Sequence, residues 1–205
     1  MRSLLSAGRL VWTALRAMIV LTLLLGVLYP LVVTGIGRVV FPARAGGSLL
    51  RDEAGQVVGS ALIGQSFCDA TGAPLPQYFQ PRPSAAGDGC GYDATHSGGS
   101  NLGPENPALV DAVIQRLDEV AAFNGVPQAA VPPDAVTASG SGLDPDISPA
   151  YAAIQVNRVA AARGLPVAVV RDLVAQNTRG RDLGYLGEPR VNVVRLNLAL
   201  DEYPG

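Results

Sequence analysis

The sequence predicts an α/β fold, with α+β packing as the alternative arrangement, joined to a single N-terminal membrane helix. Three observations carry that expectation: an uncharged apolar run near the N-terminus, three capped helical stretches in the C-terminal half, and short strand-like segments towards each end of the soluble region. The expected divisions are a short N-terminal segment over 1–16, a transmembrane helix over 17–37 and one mixed helix/strand domain over 38–205.

The run over 17–37, AMIVLTLLLGVLYPLVVTGIG, holds no charged residue. At about 1.5 Å per residue a helix of this length covers roughly 30 Å, the thickness of a bilayer core. Pro30 is expected to kink it, which membrane helices tolerate, and Trp12 and Tyr29 suit the interfaces. A cleaved signal peptide is the rival, with Ala43-Arg44-Ala45 as a small-x-small site. The apolar run, however, exceeds the usual signal hydrophobic region of about 7–15 residues. Arg2, Arg9 and Arg16 precede the run and Arg38, Arg44 and Arg51 follow it, so charge barely decides orientation.

Residues 38–47 read as a linker. Residues 56–63 (QVVGSALI) read as a strand. The stretch 64–105 is rich in Gly, Pro, Ser and Asn and reads mostly as loop. A loop that long inside a compact domain is usually functional or poorly ordered. Cys68 and Cys90 within it either close a disulfide or remain reduced. A disulfide would restrict the unfolded chain and place the domain outside the cytoplasm, with the N-terminus inside.

A helix is expected from Asn106, which can cap the free amides, with Pro107 at the first helical position. Leu109, Val113, Ile114, Leu117, Val120 and Ala121 make one apolar stripe, and Gly125 ends it. Ser148-Pro149 starts a second helix that runs through Ile154 and Val159 to Gly164. A third follows Pro166 (VAVVRDLVAQNT). The last expected element is a strand over 191–200, with Asn192, Val194, Leu196, Leu198 and Leu200 on one face.

Composition excludes several chemistries. The net charge of −2 offers no electrostatic case for nucleic acid. All 15 basic residues are arginine. Without lysine there is no P-loop, no Schiff base, no Ser-x-x-Lys acylation and no Asp-Lys-Thr-Gly phosphorylation site. Any ATP hydrolysis therefore belongs to another chain, and no catalytic residue is assigned here. His96 is the only histidine. No ligand spacing resembles a zinc site, so no metal site is expected, and His96 reads as solvated or hydrogen-bonding. No Gly-x-Ser-x-Gly elbow occurs. Ser97 beside His96 still keeps an anchored cell-envelope hydrolase as an alternative.

Ser97-Gly98-Gly99-Ser100-Asn101 and Ser139-Gly140-Ser141-Gly142 offer bare amides and hydroxyls. They read either as tight turns or as nests that cradle a phosphate. The second reading keeps a free-standing binding module as a further alternative. Asp144 and Asp146 stand before the second helix, whose dipole favours carboxylates there. Thr137 and Ser139 add polar groups to the same loop, which suits presentation to a partner. Glu188 and Arg190 flank Pro189 and read as an exposed surface pair.

Six segments, in order, together resemble the C subunit of the Kdp potassium-transporting ATPase: YPLVVTGIGRVVFPARAGGSL (29–49), GSALIGQSF (59–67), YFQPRPSA (78–85), SGGSNLGPENPAL (97–109), VPPDAVTASGSGLDPDISPAYAAIQVNRVAAARG (131–164) and LGEPRVNVVRLNLALD (186–201). The resemblance implies a single-pass accessory subunit of the bacterial plasma membrane, cytoplasmic over 1–16, with its domain outside. The implied partners are a P-type ATPase subunit, a channel-like potassium-translocating subunit and a small additional membrane subunit. It implies no cofactor of its own, ATP and potassium being handled by the complex, and a catalytic-chaperone role that raises the ATPase subunit's affinity for ATP. It also implies nucleotide contact at Ser97, Gly98, Gly99 and Ser100. Two departures stand out: Asp146 occupies a position in the Asp-Pro-x-Ile-Ser-Pro loop where the family often has histidine, and the cysteine-bearing stretch between Ser66 and Thr95 is longer than is typical.

Overall fold

The computed structural model describes residues 2–204, and the chain divides after Ser48 into two units. In the first unit, α1 (Arg2–Leu21) passes through a π-helical stretch (Thr22–Leu28) into α2 (Tyr29–Val40), and a short α3 (Pro42–Ala45) follows. Helix thus continues beyond the uncharged run at both ends. Pro30 accounts for the irregular stretch. It lacks the N–H that would bond the Gly26 carbonyl, its ring crowds that carbonyl, and a wider turn relieves both problems. The part from Gly8 to Val40 is long and apolar enough to cross a membrane, and none of it is buried inside the protein.

The second unit opens with an antiparallel hairpin, β1 (Leu49–Arg51) and β2 (Val57–Ser60), with a bulge between Leu50 and Arg51. The strand expected over 56–63 is therefore shorter than the sequence suggests. A second sheet has the order β3-β5-β4, from β3 (Asp146–Ile147), β4 (Thr178–Arg179) and β5 (Arg190–Asn192), all antiparallel. Such short strands bury little, so the core is mainly helical. It gathers Val156 and Val159 of α5 (Pro149–Arg163), Val170 of α6 (Val167–Gln176) and Leu196 and Leu200 of α7 (Val193–Asp201) around Val191 and Phe79. Each such side chain contributes roughly 1.5–3 kcal/mol through burial.

The helix ends follow local chemistry. Asn106 Oδ1 accepts from the Ala108 N–H at 2.9 Å at the start of α4 (Pro107–Asn124), and Ser148 Oγ accepts from the Tyr151 N–H at 3.0 Å at the start of α5. Gly125 and Gly164 close those helices in the left-handed conformation. Along α4, Val113, Leu117 and Val120 pack on the core, but Ile114 is 55 % exposed, so the apolar stripe is only partly covered.

The strand expected over 191–200 is corrected. Pairing stops at Asn192, whose side chain accepts from the Arg195 N–H at 3.1 Å and starts α7. The buried residues Val193, Val194, Leu196, Asn197 and Leu200 recur at helical spacing. Alternation from 192 to 200 fits a strand equally well, and the cap decides between them.

Candidate functional site

The stretch 64–105 contains no helix, and side chains from other elements hold it. Phe79 is fully buried, and its backbone N–H and C=O both pair with the Asn197 side chain at 2.9 Å. Gln155 does the same for the next residue: its Oε1 accepts from the Gln80 N–H at 2.7 Å and its Nε2 donates to the Gln80 carbonyl at 3.1 Å. Two side-chain amides thus stand in for a neighbouring strand. Arg158 extends the grip, donating to the carbonyls of Pro76 (2.5 Å) and Tyr78 (3.0 Å) and to Gln155 Oε1 (2.7 Å). Burial pushes its guanidinium down to about 10, so it stays charged at neutral pH. Arg163 donates to the Gln77 carbonyl at 2.7 Å and pairs with Asp201. The isolated sequence signals none of these four roles, because polar residues on a helix read as solvated.

The two glycine-rich loops lie against each other. Ser97 Oγ and the Gly98 N–H both donate to the Ser141 carbonyl, at 3.1 and 2.8 Å. A Cβ at Gly99 would sit 3.1 Å from the Gly140 carbonyl oxygen. Gly142 has φ +67°, and a Cβ there would lie 2.7 Å from the Gly98 carbonyl oxygen and 2.6 Å from Ala86 Cβ. Glycine is thus required for both the conformation and the approach. The N–H groups of Gly99 and Ser100 donate to no protein acceptor among the described residues.

Beside these loops Arg82 binds Asp144 Oδ2 at 2.9 Å and the Thr137 carbonyl at 3.3 Å. Tyr92 OH donates to the Arg82 carbonyl at 2.9 Å, and burial raises its pKa. Asp146 meets Arg190 at 3.3 Å and accepts from Asn192 Nδ2 at 3.1 Å. Its carboxyl is held above the ordinary value chiefly by burial, which the Asn192 bond partly offsets. Thr137, Asp144 and Asp146 are therefore tied into the fold. Ser139 Oγ is buried without a hydrogen-bond partner. The carboxylate that grips the start of α5 is Asp134, which accepts from Ser148 N–H and Oγ at 2.7 and 2.8 Å. The Glu188–Arg190 pairing is corrected: Glu188 pairs with Arg181 at 2.6 Å, and Arg190 reaches Asp146 and Asp182.

His96 is exposed and bonds through Nδ1 to Asp93 and Thr95, each at 2.8 Å, while Ser97 turns to Ser141. No serine–histidine pair forms among the described hydrogen bonds, which undercuts the hydrolase alternative. No group of His, Cys, Asp and Glu that could hold a metal occurs among the described residues. Cys68 and Cys90 are joined by a disulfide. Both line an open cleft of about 280 Å³ against α4, with Phe67, Arg82, Arg116 and Phe123 among its walls.

One exposed apolar helix ahead of a loop-rich, disulfide-closed domain fits a membrane-associated chain with a single candidate span. The family model described as "K+-transporting ATPase, c chain" matches residues 11–202. The potassium-transporting ATPase KdpC subunit of Beijerinckia indica is 55 % identical over 185 residues, covering 90 % of this chain and 89 % of that protein. Those of Gemmatimonas aurantiaca and Kineococcus radiotolerans are 58 % and 57 % identical, covering 88 % and 92 % of this chain and 86 % and 91 % of those proteins. The chain belongs to the KdpC family, the c chains of K+-transporting ATPases.

Proposed function

We propose that this chain assembles with and stabilises the P-type ATPase subunit and the channel-like potassium-translocating subunit of a high-affinity potassium importer, together with a small additional membrane subunit. One observation carries the reading: the likeness to KdpC subunits runs through both units of the chain, from residue 11 to 202. The helix crosses the bacterial plasma membrane once over 17–37, with 1–16 cytoplasmic and the 38–205 domain outside. The Cys68–Cys90 bond supports that side, because disulfides persist in oxidising compartments. The chain needs no cofactor of its own. As a catalytic chaperone it raises the ATPase subunit's affinity for ATP, acting through its helix and its companions.

Three measurements test this. Extraction in mild detergent should bring the ATPase and translocating subunits down with this chain, and their absence overturns the assembly role. The KM for ATP of the complex should rise when this chain is omitted; an unchanged KM removes the chaperone role. After reduction, a membrane-impermeant thiol reagent should label Cys68 and Cys90 in intact cells, and labelling only after lysis reverses the topology.

A second reading, which requires the domain to face the cytoplasm instead, assigns direct nucleotide contact to Ser97, Gly98, Gly99 and Ser100. The unoccupied N–H donors of Gly99 and Ser100 favour it. Calorimetry of the full chain in micelles with ATP tests it, and an absence of heat rejects it.

A further inference from the structure

The hairpin of β1 and β2 has one covered side and one bare side. On the covered side Leu50 is buried, and a Cβ at Gly59 opposite it would meet Val194 Cγ1 at 3.5 Å. Gln65 Nε2 donates to the Val58 carbonyl at 2.9 Å, and Asn192 Nδ2 donates to the Ala61 carbonyl at 3.0 Å. The hairpin is thus fixed to its own domain. Leu49 and Arg51 flank Leu50 and face the other way, as alternation along a strand requires. On the hairpin and just beyond it, Leu49, Val57, Val58, Leu62 and Ile63 are all exposed, Leu62 by 64 %. Aliphatic side chains exposed so densely mark a contact surface.

The chain itself says what that surface meets. β1 begins nine positions after α2 ends, and even fully extended that connection covers no more than about 30 Å. The four residues of α3 shorten it further. The exposed apolar residues also run on from the candidate span, through Val39, Val40 and Phe41 to Leu49. Arg44 lies 5.8 Å from the Phe41 ring centroid, an aromatic and cation pair of the kind that suits a lipid–water boundary. Arg44 and Arg51 balance Asp52 and Glu53 in number, so apolar burial, not headgroup charge, is the available driving force.

We propose that the bare side of this hairpin lies on the bilayer surface, with Leu49, Val58, Leu62 and Ile63 at the boundary between headgroups and acyl chains. It rests on the reading that the N-terminal helix crosses the membrane, and it holds for either orientation of the chain.

The full chain in lipid nanodiscs tests it, with a thiol-reactive fluorophore at Leu62→Cys and lipids brominated near the top of the acyl chain as quencher. The native cysteines are held in their disulfide and do not react. The label at 62 should be quenched, and Leu49→Cys should report the same. Ile114→Cys, an equally apolar and exposed position on α4, should stay unquenched. Quenching at 62 should be the same in phosphatidylcholine and phosphatidylglycerol discs. Leu24→Cys, inside the apolar helix, separates the two readings: quenching at 24 but not at 49 or 62 overturns the proposal and leaves the span standing, whereas no quenching at 24 overturns both. Equal quenching at 62 and 114 overturns the proposal, as does quenching in phosphatidylglycerol discs alone. Quenching at 62 that vanishes when the ATPase and translocating subunits are present also overturns it, because a protein then covers this face.

Discussion

Residues 106–201 and residues 64–105 of the same domain are ordered by different physics. In the first region, capped helices bury valine and leucine, and most backbone groups bond within their own element. In the second, the backbone forms only an isolated antiparallel bridge between Cys68 and Pro74, and Asn197, Gln155, Arg158 and Arg163 supply further partners from the helices. A loop can therefore be as fixed as a helix when its polar groups are met one by one. Its order then depends on a few individual side chains instead of a distributed apolar face.

The largest test of that contrast is Asn197→Leu, which keeps volume but strands the buried N–H and C=O of Phe79. It should cost about 4 kcal/mol in urea unfolding, since each orphaned group costs roughly 1–3 kcal/mol. Replacing both Cys68 and Cys90 by serine should cost about 3 kcal/mol, the loop-closure value for a bridge of this span, read from the same unfolding curves. In the apolar region Val159→Ala should cost about 2 kcal/mol. If it proves more damaging than Asn197→Leu, the contrast fails. Asn106→Ala removes only a cap and should cost about 1 kcal/mol.

The smallest effect is a pH dependence. Asp93 is pulled down to about 2 by the Thr95 hydroxyl first, then the Thr95 N–H and His96. A depressed carboxyl stabilises the fold above its unfolded value of 3.8, and this contribution is lost as pH falls towards about 2. Thr95→Ala should shrink the drop in urea midpoint between pH 5 and pH 2. An unchanged drop would show that the turn at Asp93 contributes nothing to holding this region.

The same contrast explains what was legible in the sequence. Helix starts at Asn106 and Ser148 and stops at Gly125 and Gly164 depend on neighbours in sequence, and they stand where the pattern puts them. The apolar run that makes a candidate span is legible for the same reason. The final helix was hidden because VNVVRLNLAL satisfies a two-residue and a 3.6-residue period alike. Asn192 resembles a strand residue until it is seen to cap. The loop's supports were hidden because Asn197 lies 118 residues from Phe79, a pairing no local pattern carries. For the glycine-rich loops, the composition was legible, but their mutual contact through Ser141 was not.

The side-chain amides that grip residues 79 and 80 also set a timetable. A ribosome adding about 5–20 residues per second would need roughly 6–24 s after Phe79 emerges to deliver Asn197. The Cys68–Cys90 bridge spans only 22 positions and can close long before that. The nascent segment is thus locked last, and it stays open to proteases and chaperones until the final helix arrives.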